Sequence, residues 1–146
     1  MTASMIPPAA ERFLREHTRT FLVTVRPDGA PTCHPMVGLY RDGALYLNTY
    51  RKSAKARNMM LEPRVACVVV TDDDDAQFRG VVVRGRAEVA PAYALRAAPD
   101  REGASQVRPP GIGREVVGLV QSRLAEGKRI LVRVLPEEVR LVGRHA

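Results

Sequence analysis

Tryptophan is absent from these 146 residues, aromatic side chains make up 5%, and there are 2 cysteines. With so few flat rings, a platform for stacking successive bases is poorly provided for. Cys33 and Cys67 are too few and too far apart for a disulfide framework or a zinc-ligand cluster, and both read as small buried apolar residues. His17, His34 and His145 give no metal-ligand spacing, and His17 and His145 sit in polar, terminal contexts that read as exposed. No apolar run approaches the roughly 18 residues of a membrane-spanning helix, and the opening MTASMIPPAAERF lacks a signal peptide's apolar core. A cytoplasmic protein without a membrane partner is expected. Lysine occurs only at Lys52, Lys55 and Lys128, so the 23 basic residues are nearly all arginine and outnumber 16 acidic ones for a net +7. That surplus is scattered along the chain and not gathered into a footprint, which argues against nucleic acid and for a small anionic ligand. What remains, 45% hydrophobic and 27% charged, fits one ordinary globular domain spanning residues 1–146.

Residues 1–17 hold a short opening helix over AAERFLREH. Thr20–Arg26 is dense in β-branched and aromatic residues and stops at Pro27-Asp28-Gly29, a turn signal. A second strand is expected from Pro31 to Tyr40, and Asp42-Gly43 turns it into a third over Ala44–Thr49. Strands joined by tight turns make a meander of hairpins and not a βαβ unit. Ser53 is an N-cap for a helix over Ala54–Leu61, which Pro63 stops, and Met59 and Met60 are expected to face the core, with lining of a cofactor groove as the alternative. Arg64–Thr71 is apolar enough to be buried on both faces, Asp72–Asp75 reads as a solvated loop, and Arg79–Val89 as a long strand. Gly85 within that strand marks a bulge or close backbone approach. Residues 91–127 read as a partly helical insertion, with helical spacing over 115–126. Arg129–Leu135 is a sixth strand that Pro136 ends. Six antiparallel strands with peripheral helices predict a mainly β protein, a small β-barrel, and a homodimer is the economical way to cover its apolar outside.

The chemically richest stretch is Tyr46–Pro63, YLNTYRKSAKARNMMLEP. A strand ends in Asn48, Thr49 and Tyr50, a basic turn of Arg51 and Lys52 follows, and the Ser53-capped helix carries Lys55 and Arg57 near its start. Helix N-termini offer unpaired N–H groups and a positive dipole, so anions bind there. Cations in the first turn work against the dipole unless an anion occupies the site. A solvated helix with a simple cap gives the same pattern, and the residues by themselves leave both readings open. Cys33 and His34, adjacent on a strand, point to opposite faces and form no dyad. The segment PPGIG has the wrong spacing for a dinucleotide fingerprint.

The runs DGAPTCHPMV, DGALYLNTYRKSAKARNMMLEPRVACVVV and FRGVVVRGRAEV, with the closing RILVRVLPEEVRLVG, together resemble the pyridoxamine 5′-phosphate oxidase-like split-barrel family. Within it they are similar to the flavin/deazaflavin oxidoreductases. The resemblance implies a six-stranded antiparallel split β-barrel, of the FMN-binding type, that forms a homodimer with cofactor sites between subunits. It places the cofactor phosphate at Ser53 and Lys55 with Thr49 behind them, and Asn48, Tyr50 and Arg57 nearby. It lays the ring system along His34, Pro35, Met36 and Val37, and it has Phe78 reach the partner's cofactor. The long substrate-phosphate arm and Arg/His cluster of true pyridoxamine phosphate oxidases are missing, which argues against vitamin B6 chemistry. The S-A-K-A-R-N segment is closer to the deazaflavin branch, and Arg51-Lys52 suits the acidic tail of coenzyme F-420. The expected cofactor is therefore F-420, with FMN as the alternative. The reaction implied is hydride transfer to a small unsaturated or aromatic substrate. No catalytic proton donor stands out; Tyr50 and His34 are candidates by type. The alternative is a non-catalytic protein of this fold that binds flavin, haem or a tetrapyrrole, with His34 or His145 as the axial ligand of a haem.

Overall fold

A computed structural model describes residues 6–72, 77–91 and 127–144. The expected loop at 73–75, most of the 91–127 insertion with its helix, and His145 lie outside them. The elements are α1 (Pro8–Glu16), β1 (Arg19–Val25), β2 (Pro31–Val37), β3 (Leu39–Arg41), β4 (Ala44–Tyr50), α2 (Ala54–Leu61), β5 (Arg64–Val70), β6 (Arg79–Ala90) and β7 (Arg129–Gly143). The strands form one antiparallel sheet in the order β2-β1-β5-β6-β7-β4-β3. β2 and β3 are neighbours in sequence yet stand at opposite ends of that order, so the sheet curls into a half-barrel, the split-barrel architecture.

The expected second strand is two strands because the chain bends at Gly38 to pass between the ends of the curl. Gly38 donates its N–H to the Thr18 carbonyl at 2.9 Å, and a Cβ there would lie 2.5 Å from Thr20 Oγ1. The Asp-Gly turns behave as read: Gly29, Asp42 and Gly43 all take positive φ, the conformation tight hairpins need. The sixth expected strand corrects at its end. Pro136 does not stop it, and β7 runs on to Gly143. The register skips Glu137, so that Arg84 faces Glu138 and Gly85 faces Pro136. At this bulge a proline that cannot donate to a ladder is tolerated. Gly85 makes the close approach expected of it, since a Cβ would come within 2.0 Å of the Leu135 carbonyl oxygen.

Alternation along each strand sends one set of side chains inward. Leu22, Leu45, Leu47, Cys67, Val69, Val81, Val83, Ile130, Val132 and Val134 fill the barrel, joined by Phe13 and Leu14 of α1 and Ala56 and Met59 of α2. Each fully buried aliphatic side chain stabilises by about 1.5–3 kcal/mol relative to exposure. α1 closes the end of the barrel where Arg79 begins β6, its Phe13 ring 5.8 Å from that guanidinium. α2 closes the other end, where the Ala87 N–H donates to the Pro63 carbonyl.

Four burial expectations change. Cys33 is exposed, because it lies on the outward face of β2, an edge strand. Met60 is 70% exposed while Met59 is buried, since one residue step turns a helical side chain about 100° away. β5 buries Val65, Cys67 and Val69 but only half-buries Ala66, Val68 and Val70, which alternate onto the outer face of the sheet. His17 is not free: its ring lies 4.3 Å from that of Phe13, and its Nδ1 accepts from the Asp72 N–H at 3.4 Å.

Candidate functional site

β4 leads straight into the site. Leu45, Leu47 and Thr49 point into the barrel, while Asn48 and Tyr50 point outward. Thr49 is 2% exposed, and its hydroxyl is hydrogen-bonded to Ser53 Oγ at 3.1 Å. Ser53 sits in the extended region at φ −69°, ψ 153°, and its Oγ accepts from the Ala56 N–H at 3.2 Å. It is the expected N-cap. The Arg57 N–H bonds the Ser53 carbonyl, which leaves the N–H groups of Ala54 and Lys55 without partners inside the helix. No acidic residue lies in the first turn. Lys55 is half-buried, and among the described residues no carboxylate pairs with it. Arg57 is exposed, as are Arg51 and Lys52. Two free N–H groups, a hydroxyl pair and an uncommitted lysine at the positive end of a helix fit a phosphate.

The rest of α2 ties this turn to β1 and β2. Asn58, 6% exposed, donates Nδ2–H to Thr24 Oγ1 at 3.1 Å, and the Thr24 and Thr32 hydroxyls are hydrogen-bonded at 2.7 Å. His34 and Met36 follow Thr32 on the inward face of β2, with Met36 packed on the core and His34 half-buried. His34 Nδ1 is buried without a hydrogen-bond partner. Pro35 is exposed and Val37 half-buried on the other face. Among the described residues one edge of β2 has no strand partner.

Phe78 is 68% exposed and far from these residues within one chain. Its carbonyl accepts from the Arg144 N–H, beyond the C-terminal end of β7, whereas Tyr50 pairs with Arg129 at the start of that strand. Arg129 itself went unread in the sequence. Its guanidinium lies 4.0 Å from the Tyr50 ring centroid, and its Nη1 donates to Asn48 Oδ1. Strand pairing brings it there across a long separation, which no local pattern marks. Cys67 is buried in the core, and burial pushes its thiol up to about 12.

The family model for pyridoxamine 5′-phosphate oxidase matches residues 6–143. The chain belongs to the pyridoxamine 5′-phosphate oxidase-like family. Among solved members of this split-barrel group, a conserved protein of Mycobacterium tuberculosis is 26% identical with a TM-score of 0.68, over 98% of this chain and 89% of that one. A structure described as an F420 reductase is also 26% identical, with a TM-score of 0.63, over 92% of this chain and 98% of that one. A haem-binding protein of Mycobacterium smegmatis shares the fold at 20% identity and a TM-score of 0.66, over 96% of this chain and 56% of that one. No curated protein matches the chain by sequence. Solved structures of this fold thus include one described as an F420 reductase, one as a haem-binding protein and one as an FAD-binding protein. Among the described residues no helix is long and apolar enough to cross a membrane.

Proposed function

We infer that this chain is an oxidoreductase that binds the deazaflavin coenzyme F-420 at the α2 N-terminus, with FMN as the next candidate. The observation that supports it is the Thr49–Ser53 hydroxyl pair set beside Lys55 in a helix start that lacks any acidic residue. Ser53, Lys55 and the free N–H groups of Ala54 and Lys55 hold the phosphate, and the unpaired edge of β2 from His34 to Val37 flanks the ring. When bound, the cofactor supplies a hydride for a small unsaturated or aromatic substrate; the chain supplies orientation and charge. The 26% identity to an F420 reductase supports the deazaflavin over the flavin.

The active form is a homodimer. Pro35, Phe21, Val68 and Val82 are register partners across four adjacent strands, an apolar row on the outside of the sheet with Phe21 37% exposed. A second copy covers that face and carries Phe78 to the neighbouring site. Lys55→Ala tests the phosphate site: cofactor affinity falls by about 1.5–3 kcal/mol, the scale of losing a hydrogen bond to a charged group. Unchanged affinity in a folded variant removes the site.

A second reading, non-catalytic binding of haem or another tetrapyrrole, draws on the unpartnered buried Nδ1 of His34. A Soret band on haem addition that His34→Ala abolishes would favour it.

A further inference from the structure

Several of the described arginines have an acid beside them. Arg15, Arg26, Arg64, Arg84, Arg86 and Arg133 each reach a carboxylate within 4.0 Å. Arg129 does not: among the described residues its guanidinium meets only two neutral side chains, the Tyr50 ring at 4.0 Å and Asn48 Oδ1, to which Nη1 donates. Its Nε–H is buried without a partner. A buried, unsatisfied N–H on a cation is unfavourable, and the ring and amide that hold the fork in place do nothing to relieve it. Arg51 flanks it, bonded through Nε to the Gly127 carbonyl at 2.9 Å and through its N–H to the Lys128 carbonyl, which brings the Arg51, Lys52 and Lys128 stretches to the same sheet end.

We propose that Arg129 is a second anion-binding residue, one that holds a carboxylate or phosphate of the ligand distinct from the phosphate at α2. The assignment rests on the reading of α2 as a cofactor phosphate site. Thr49 and Tyr50 are consecutive and project to opposite faces of the sheet, so Ser53 and Lys55 serve the inner side of the β4 end and Arg129 the outer side. A ligand with a single phosphate engages one of them. A ligand with a phosphate followed by further carboxylates, such as F-420 with its oligoglutamate tail, folds over the strand end and engages both. The planar fork, already oriented by Tyr50 and Asn48, donates its unused N–H groups to a carboxylate.

The test compares F-420, FMN and γ-linked triglutamate as ligands of the wild-type protein, Arg129→Gln, Arg129→Lys and Lys55→Ala. Arg129→Gln weakens F-420 about tenfold, the scale of one charge-assisted hydrogen bond, and changes FMN less than twofold. Arg129→Lys falls between, because it keeps the charge and loses the fork. Lys55→Ala weakens both cofactors. In the wild-type protein, triglutamate moves the Arg129 Nε–H resonance, and sodium chloride at equal ionic strength does not. F-420 affinity unaffected by a folded Arg129→Gln variant overturns the assignment, as does an Nε–H resonance unmoved by triglutamate. Wild-type protein that binds neither F-420 nor FMN overturns the reading of α2 instead, and the triglutamate titration then decides on Arg129 alone.

Discussion

Asp72 accepts backbone hydrogen bonds from Thr18 at 3.0 and 3.1 Å and from Arg19 at 2.7 Å, pinning the start of β1 to the end of β5. Read in sequence as the first of four acids in a solvated loop, it is instead half-buried and structural; a run of like residues hides the one member with partners. Asp72→Ala leaves two backbone N–H groups unpaired and lowers stability by about 1–3 kcal/mol in urea unfolding, while Asp72→Asn, which keeps one acceptor oxygen, loses about half as much. Equal stability of the alanine variant contradicts the role. Cys67 carries the second residue-scale prediction. Burial raises its thiol from 9.0 to about 12 in the fold, so between those values the unfolded chain binds fewer protons than the native one, and stability falls as pH rises. From pH 7.5 to 10.5 the wild type therefore loses about 2 kcal/mol relative to Cys67→Ala. A difference between the two proteins that stays constant with pH contradicts the burial.

At the scale of elements, what was legible in the sequence depended on local signals. α2 matches its reading at both ends because Ser53 and Pro63 act on the backbone next to them. The Asp-Gly hairpins are equally local. β7 was misread because a proline normally ends a strand, and only the bulge opposite Gly85 permits Pro136 to lie inside one. The glycine was visible as a bulge signal, but its partner could not be known before β6 and β7 were seen to pair. The strain that a side chain would meet there is severe. Gly85→Ala sets a Cβ within 2.0 Å of the Leu135 carbonyl oxygen, a backbone atom that cannot swing aside, and lowers stability by about 3 kcal/mol, read as a fall in thermal midpoint. A midpoint at the wild-type value would show that the bulge relaxes freely.

On the whole-molecule scale, antiparallel meander and barrel class were readable from hairpin turns and alternation, while the strand order was not. Arg129 illustrates the cost: its place beside Tyr50 comes from a crossover that no local pattern encodes. The half-exposure of β5 has the same origin, since Val68 is apolar for a face that one chain leaves open. Phe21→Glu places a charge in that apolar row, and the protein then runs at 16.1 kDa, whereas the wild type runs at twice that mass in sedimentation; a wild type that is monomeric contradicts the dimer. The measurement that bears most directly on function is a fluorescence titration of the wild-type protein with F-420 and, separately, with FMN. The account predicts F-420 binding at micromolar or tighter, about −8 kcal/mol, with FMN weaker. Binding of neither cofactor at concentrations up to a millimolar, about −4 kcal/mol, would contradict it.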